Sequence, residues 1–157
     1  MDFFDYEGRK INAAEVVREI TDFMREDGAR SYRIMIGTDS ALYNSTDADF
    51  VTAVVVHRVG NGARYFWRRS ELKNFHTLRD RMIKEAMISL EIAQQIFEFL
   101  KEAEAPKFDF EIHVDVGYNG ETKTVLQELV GLVRANNFEV KTKPESYAAS
   151  NVADRYT

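Results

Sequence analysis

The chain has 157 residues, 45% hydrophobic and 30% charged, enough for one globular domain with a sizeable core. It has no cysteine, which excludes disulfides, thiolate catalysis and Cys-ligated zinc. Its net charge of −5 speaks against coating nucleic acid by bulk electrostatics but leaves room for a local basic surface.

The first residues, Met1-Asp2-Phe3-Phe4-Asp5, lack the basic start of a signal peptide. No apolar run reaches the roughly 18–20 residues needed to span a bilayer. A cytoplasmic location is therefore expected. Asn12 and Glu15 have capping-box spacing, and Ile11 and Val16 stand at hydrophobic-staple positions around that cap. Val16, Val17, Ile20, Phe23 and Met24 then form an apolar stripe, with Gly28 as the expected C′ residue. Strands are predicted over 32–39, 50–59 and 63–68, the last two joined by the turn signal Asn61-Gly62. A long helix is predicted over 75–103, ended near Pro106. Residues 108–116 alternate, with Phe108, Phe110, Ile112, Val114 and Val116 on one face. A helix over 121–136, a strand over 138–142 and a final helix over 145–155 complete the chain.

After the first helix the order is β-β-β-α-β-α-β-α. Short turns make the first three strands an antiparallel meander, and helical crossovers make the later strands parallel. The expected architecture is a single α/β domain over 1–157, with a mixed five-stranded sheet flanked by helices. Residues 1–28 form a helical addition to a core over 32–157. Its stripe would pack on the sheet or form a homodimer contact.

Four carboxylates stand where element and chemistry coincide. Asp39 ends the first strand, Glu85 interrupts the edge of an apolar row in the long helix that includes Leu78 and Met82, Asp115 is near the end of the 108–116 strand, and Asp154 is in the last helix. Each has a plainer reading. Asp39 could turn the chain, Glu85 could pair with an arginine, and Asp154 could be a solvated surface residue. Ligands in open α/β sheets sit beyond the carboxyl ends of the strands, where Asp39 and Asp115 meet if their strands are parallel. At about 4 Å two carboxylates repel by roughly 4 kcal/mol at an effective dielectric of 20. A shared proton relieves this in part, and a hard divalent cation more fully.

In order and element type, these residues resemble the ribonuclease H superfamily over 32–156. Thr38-Asp39-Ser40 is similar to its first acidic motif, and Ala153-Asp154-Arg155-Tyr156-Thr157 to its closing helix. More narrowly, the chain resembles a small, mainly bacterial ribonuclease H-like group of unassigned activity. The resemblance implies a two-metal nuclease using Mg²⁺ or Mn²⁺ on RNA, DNA or a hybrid. Asp39 would bridge both ions, Glu85 and Asp115 hold one, and Asp154 hold the other. The chain departs from the pattern by having no histidine before the last helix, where Lys143 could meet phosphate. It also lacks a basic protrusion around 104–107, which removes the basis for hybrid specificity.

Residues 64–84 hold seven basic against two acidic residues, a net of +5. Arg64, Arg68, Arg69 and Lys73, interleaved with Tyr65, Phe66 and Trp67, are candidates for nucleic-acid contact. The plainer reading is a solvated surface with core aromatics. His113 shares a strand face with Asp115, Glu111 and Asp109, whereas His57 and His76 read as surface or helix-start residues. Thr38 and Ser40 read as turn and backbone-bonding groups. The alternatives to a nuclease are a non-catalytic nucleic-acid-binding module on the same fold and a partner-binding domain.

Overall fold

The computed structural model describes residues 2–116 and 122–142. In chain order the elements are β1 (Asp2–Asp5), β2 (Lys10–Asn12), α1 (Ala13–Glu26), β3 (Tyr32–Leu42), β4 (Ala48–Arg58), β5 (Ala63–Leu72), α2 (Leu78–Glu102), β6 (Asp109–His113), α3 (Lys123–Ala135) and β7 (Glu139–Lys141). The helix expected over 145–155 lies outside the described residues.

The mixed α/β character holds, but among the described residues the sheet has seven strands rather than five, ordered β2-β1-β5-β4-β3-β6-β7. The two extra strands are a hairpin before α1, with Phe3 opposite Ile11 and β1 antiparallel to β5. Strands this short carry too little alternation to read, and β1 gains its place through non-local pairing and burial of Phe3. The segment before residue 28 is thus not only helical. It extends the sheet.

The meander β3-β4-β5 is antiparallel, and β6 pairs parallel with both β3 and β7, as the crossover argument requires. The β4–β5 turn is wider than a two-residue hairpin. Gly60 and Gly62 both have positive φ, at 80° and 95°, and the Arg58 N–H closes the loop on Gly62 O.

At the start of α1 the capping box forms. Asn12 Oδ1 accepts from Glu15 N at 2.8 Å, and Asn12 N donates to Glu15 Oε1 at 3.2 Å. Gly28 is not among the positive-φ residues; α1 ends instead with Asp27 N donating to Met24 O. The apolar stripe of α1 is buried within its own chain, in one core with α2, α3 and the facing residues Ile34, Ile36, Val54, Phe66 and Ile112. That stripe is therefore not left over for a homodimer contact. On the opposite sheet face Met35, Val51, Ala53 and Val55 form a smaller cluster with Tyr65 and Trp67.

Two expectations around the long helix change. Helix α2 begins at Leu78 with Thr77 as its N-cap, so Leu78 is half exposed instead of packed in the apolar row. Strand β6 stops at His113: Val114 N makes the last ladder bond, to Lys141 O, and Val116 N then folds back on Val114 O. No described helix is long and apolar enough to cross a membrane.

Candidate metal centre

The parallel β3–β6 ladder pairs Arg33 with Asp109 and Gly37 with His113. Asp39, inside β3, and Asp115, just past β6, each lie two residues beyond that last pair, toward the carboxyl edge of the parallel strands. Thr38 and Ser40 turn toward α2, where Thr38 bonds Ser89 and Ser40 bonds Glu85. Asp39, between them, starts on the other face, whereas Asp115 lines a crevice with Glu85 and Ser89 of α2. Glu85 reaches the edge from the helix side, so the site is built across the rim of the sheet.

Glu85 is the electrostatic centre of this group. Burial, then the charge of Asp39, and more weakly that of Asp115, push its carboxyl up to about 8. The Ser40 hydroxyl, at 3.2 Å from Glu85 Oε2, and the Arg81 guanidinium act in the opposite direction. Arg81 stands one helical turn before Glu85 and donates to both Ser40 O and Ser40 Oγ at 3.3 Å. Ser89 stands one turn after. Its hydroxyl is 2.7 Å from Thr38 Oγ1, which is in turn 2.9 Å from Thr52 Oγ1. Glu85, Asp115, Thr38, Ser89 and His113 line a crevice of about 10 Å³, at the lower limit for one water.

Thr38 and Ser40 are therefore not turn groups: their hydroxyls join β3 to α2. The sequence carried a partial signal for this arrangement, since Arg81, Glu85 and Ser89 recur at helical-turn spacing. Thr52 had none, because its role depends on the β3–β4 register that sets it opposite Thr38.

Among the described residues no three His, Cys, Asp or Glu side chains are grouped closely enough to hold a metal ion. The carboxylates form an electrostatically coupled set of oxygen donors, which is the donor chemistry that hard divalent cations take. Asp154 and Lys143 lie outside the described residues.

Two and four residues before Asp115, one face of β6 holds a buried charge network. Glu111 is ion-paired to Arg33 and accepts or shares a 2.8 Å hydrogen bond with His113 Nε2. Burial works to raise the Glu111 carboxyl, but the bond from His113 and the charge of Arg33 outweigh it and hold it below its ordinary range. His113 is thereby committed to Glu111 by one ring nitrogen.

The basic stretch does not form one face. By alternation around buried Phe66, Arg64 and Arg68 lie on the helix-covered side of β5, and Arg69 lies on the other. Arg64 stacks over Phe23, with its guanidinium 4.7 Å from the ring centroid. Arg79 pairs with Glu128 at 2.7 Å, Arg69 with Asp49 at 3.5 Å, and Lys73 is exposed just past β5. Arg69 alone of the four basic candidates on β5 and after it sits in a cross-strand row with a site carboxylate: Asp39 pairs with Val51, and Val51 with Arg69.

A family model described as Ribonuclease H-like matches residues 15–157. A protein of Bacillus subtilis strain 168, described as uncharacterized protein YkuK, is 31% identical over 166 aligned positions, covering 99% of this chain and 96% of the relative.

Proposed function

We propose that this chain, which belongs to the ribonuclease H-like family, is a divalent-metal-dependent nuclease hydrolysing phosphodiester bonds of RNA or DNA. The observation that carries this reading is the coupling of Glu85 to Asp39 and Asp115 across the sheet rim. Like charges held together in a part-buried place are unfavourable unless something neutralises them. Until a cation does so, a proton on Glu85 does.

Asp39, Glu85, Asp115 and Asp154 would hold Mg²⁺ or Mn²⁺. Bound there, the cations supply Lewis-acid stabilisation of the negative charge that develops on the phosphate. The chain's own groups do the rest. Ser40 and Arg81 orient Glu85 and keep one of its oxygens occupied. The oxygen-only donor set, without cysteine, suits hard cations such as Mg²⁺ and Mn²⁺. Arg69, in the row of Asp39, and Lys143 supply positive charge for the substrate backbone. Neither reads base identity, which suits cleavage with little sequence preference.

The test pairs metal-dependent cleavage of labelled single-stranded and duplex RNA and DNA with Asp39→Asn and Asp115→Asn. Cleavage should vanish in both variants while the fold persists. Cleavage that survives both would remove the proposal.

A non-catalytic nucleic-acid-binding module is the second reading. The observation on its side is Glu85 itself, since a carboxyl that keeps its proton to about 8 resists cation entry at neutral pH. This reading expects salt-sensitive binding through Arg68 and Arg69, indifferent to Asp39 and without metal-dependent turnover.

A further inference from the structure

Three hydroxyls meet inside the apolar interface between sheet and helix. Thr38 on β3, Thr52 on β4 and Ser89 on α2 are 5%, 2% and 1% exposed. Their oxygens form an unbroken chain, 2.9 Å from Thr52 to Thr38 and 2.7 Å from Thr38 to Ser89. Around them the same surfaces bury Ile36, Val54, Ala86 and Ala93. Valine in place of threonine and alanine in place of serine would fit this setting by shape.

A buried hydroxyl pair gains little net stability over apolar groups of the same shape, because its hydrogen bond only replaces those lost to water. What a hydrogen bond adds is a fixed distance. It weakens steeply outside a narrow range of length and angle, whereas apolar packing tolerates some sliding. The location of this fixed distance matters. Thr38 precedes Asp39, Ser89 is one helical turn beyond Glu85, and Thr52 adjoins Val51, the register partner of Asp39. On the other side of Glu85, one turn earlier, Arg81 is anchored to Ser40. The carboxylate of α2 is held between two polar clamps, both fastened to the strand that carries Asp39.

We propose that Thr38 and Ser89 are positioning residues whose hydrogen bond sets the separation between Asp39 and Glu85, and so the capacity of the site for a divalent cation. The cation clause rests on the nuclease reading above; the separation clause does not. Neither hydroxyl touches substrate. Each acts through the neighbouring carboxylate. Thr52 completes the chain by giving the Thr38 hydroxyl its second partner.

The test is the triple variant Thr38→Val/Thr52→Val/Ser89→Ala, which removes the whole chain so that no hydroxyl of it is left buried and unpaired, with Thr38→Ser as the conservative control that keeps the hydroxyl. Three quantities are read: the urea midpoint, the Asp39–Glu85 separation in a metal-free crystal structure, and Mn²⁺ affinity by calorimetry. The proposal expects an unchanged or higher midpoint, a separation altered by about 1 Å, and Mn²⁺ affinity lower by about 10- to 100-fold, the usual effect of removing a supporting hydrogen bond at a metal site. Thr38→Ser should keep the wild-type separation and Mn²⁺ affinity, with a midpoint lowered only by the lost methyl. An unchanged separation in the triple variant would overturn the proposal, whatever happens to metal. A lowered midpoint with an unchanged separation would assign the hydroxyls to stability alone and overturn it equally. If wild type takes up no Mn²⁺ while the separation shifts as expected, the positioning role stands and the nuclease reading fails.

Discussion

Ser40 Oγ donates a 3.2 Å hydrogen bond to Glu85 Oε2, tying the strand that carries Asp39 to the only carboxylate that α2 contributes to the site. That bond favours the ionised form of Glu85, yet burial and the Asp39 charge prevail and raise the carboxyl to about 8. A stability signature follows. The folded state keeps a proton that the unfolded chain releases above the ordinary value of 4.5, so wild-type stability falls as pH rises from about 4.5 to about 8. Glu85→Gln cannot ionise. It should match wild type near pH 4 and exceed it at pH 9 by on the order of 1–3 kcal/mol, with part of the electrostatic gain offset by the altered bond to Ser40. Urea unfolding at the two pH values checks this.

Metal uptake should carry the same signature with the opposite slope. A cation that binds Glu85 must displace its proton, so Mn²⁺ affinity should climb with pH and level off above about 8. Calorimetry in buffers of different ionisation enthalpy near pH 7 should detect close to one proton released per Glu85 engaged. A pH-independent affinity would place the ion elsewhere.

Arg69 and Arg64 should separate cleanly in nucleic-acid binding. Arg69 shares a cross-strand row with Asp39, whereas Arg64 is stacked over Phe23 and Tyr6 on the helix-covered side. Arg69→Ala should weaken binding and reduce the slope of log affinity against log salt by about 1, the contribution of one phosphate contact. Arg64→Ala should leave both nearly unchanged. Fluorescence anisotropy over a salt series distinguishes them.

The N-terminal hairpin should behave as a structural part of the sheet. Asp5 is buried at 1% exposure, and its carboxylate accepts from Glu7 N, Arg9 N and Arg9 Nε at 2.9, 2.9 and 2.7 Å. Burial raises its carboxyl, but the hydrogen bonds to Arg9 and Glu7 prevail and lower it. The stabilisation is therefore present above the ordinary carboxylate range and is lost as pH falls through the lowered folded value. Asp5→Ala should cost about 1–3 kcal/mol at pH 7 by removing three hydrogen bonds to a buried carboxylate, and much less at pH 2. Thermal unfolding at both pH values checks it.

How far the sequence revealed this arrangement depends on the range of each interaction. The α1 cap, the antiparallel meander and the parallel β3–β6 pair were legible because capping, alternation and crossover handedness are local rules. Asp39 and Asp115 stood out in the sequence because each reads as a strand end, but β3 runs on to Leu42 with Asp39 inside it and β6 stops two residues short of Asp115; Glu85 stood out because a carboxylate breaks an apolar row. The β1–β2 hairpin was not legible, since its strands are too short to show alternation and β1 is fixed in the sheet by pairing with β5, distant in sequence. The hydroxyl chain was not, since Thr38, Thr52 and Ser89 come from three elements and only the sheet register and helix rotation bring them together. The basic stretch read as one surface because charge was counted along the chain. A strand alternates faces, so β5 divides that charge between the two sides of the sheet.

The central claim is that the coupled carboxylates at the sheet rim take a divalent cation. Its most direct test is Mn²⁺ titration by calorimetry, with single-stranded and duplex nucleic acid added in parallel runs, on wild type and on Asp39→Asn/Asp115→Asn. The account predicts uptake by wild type, in the presence of nucleic acid if not before, and loss of that uptake in the double variant. Equal uptake by both proteins, or none by wild type in any run, would contradict it.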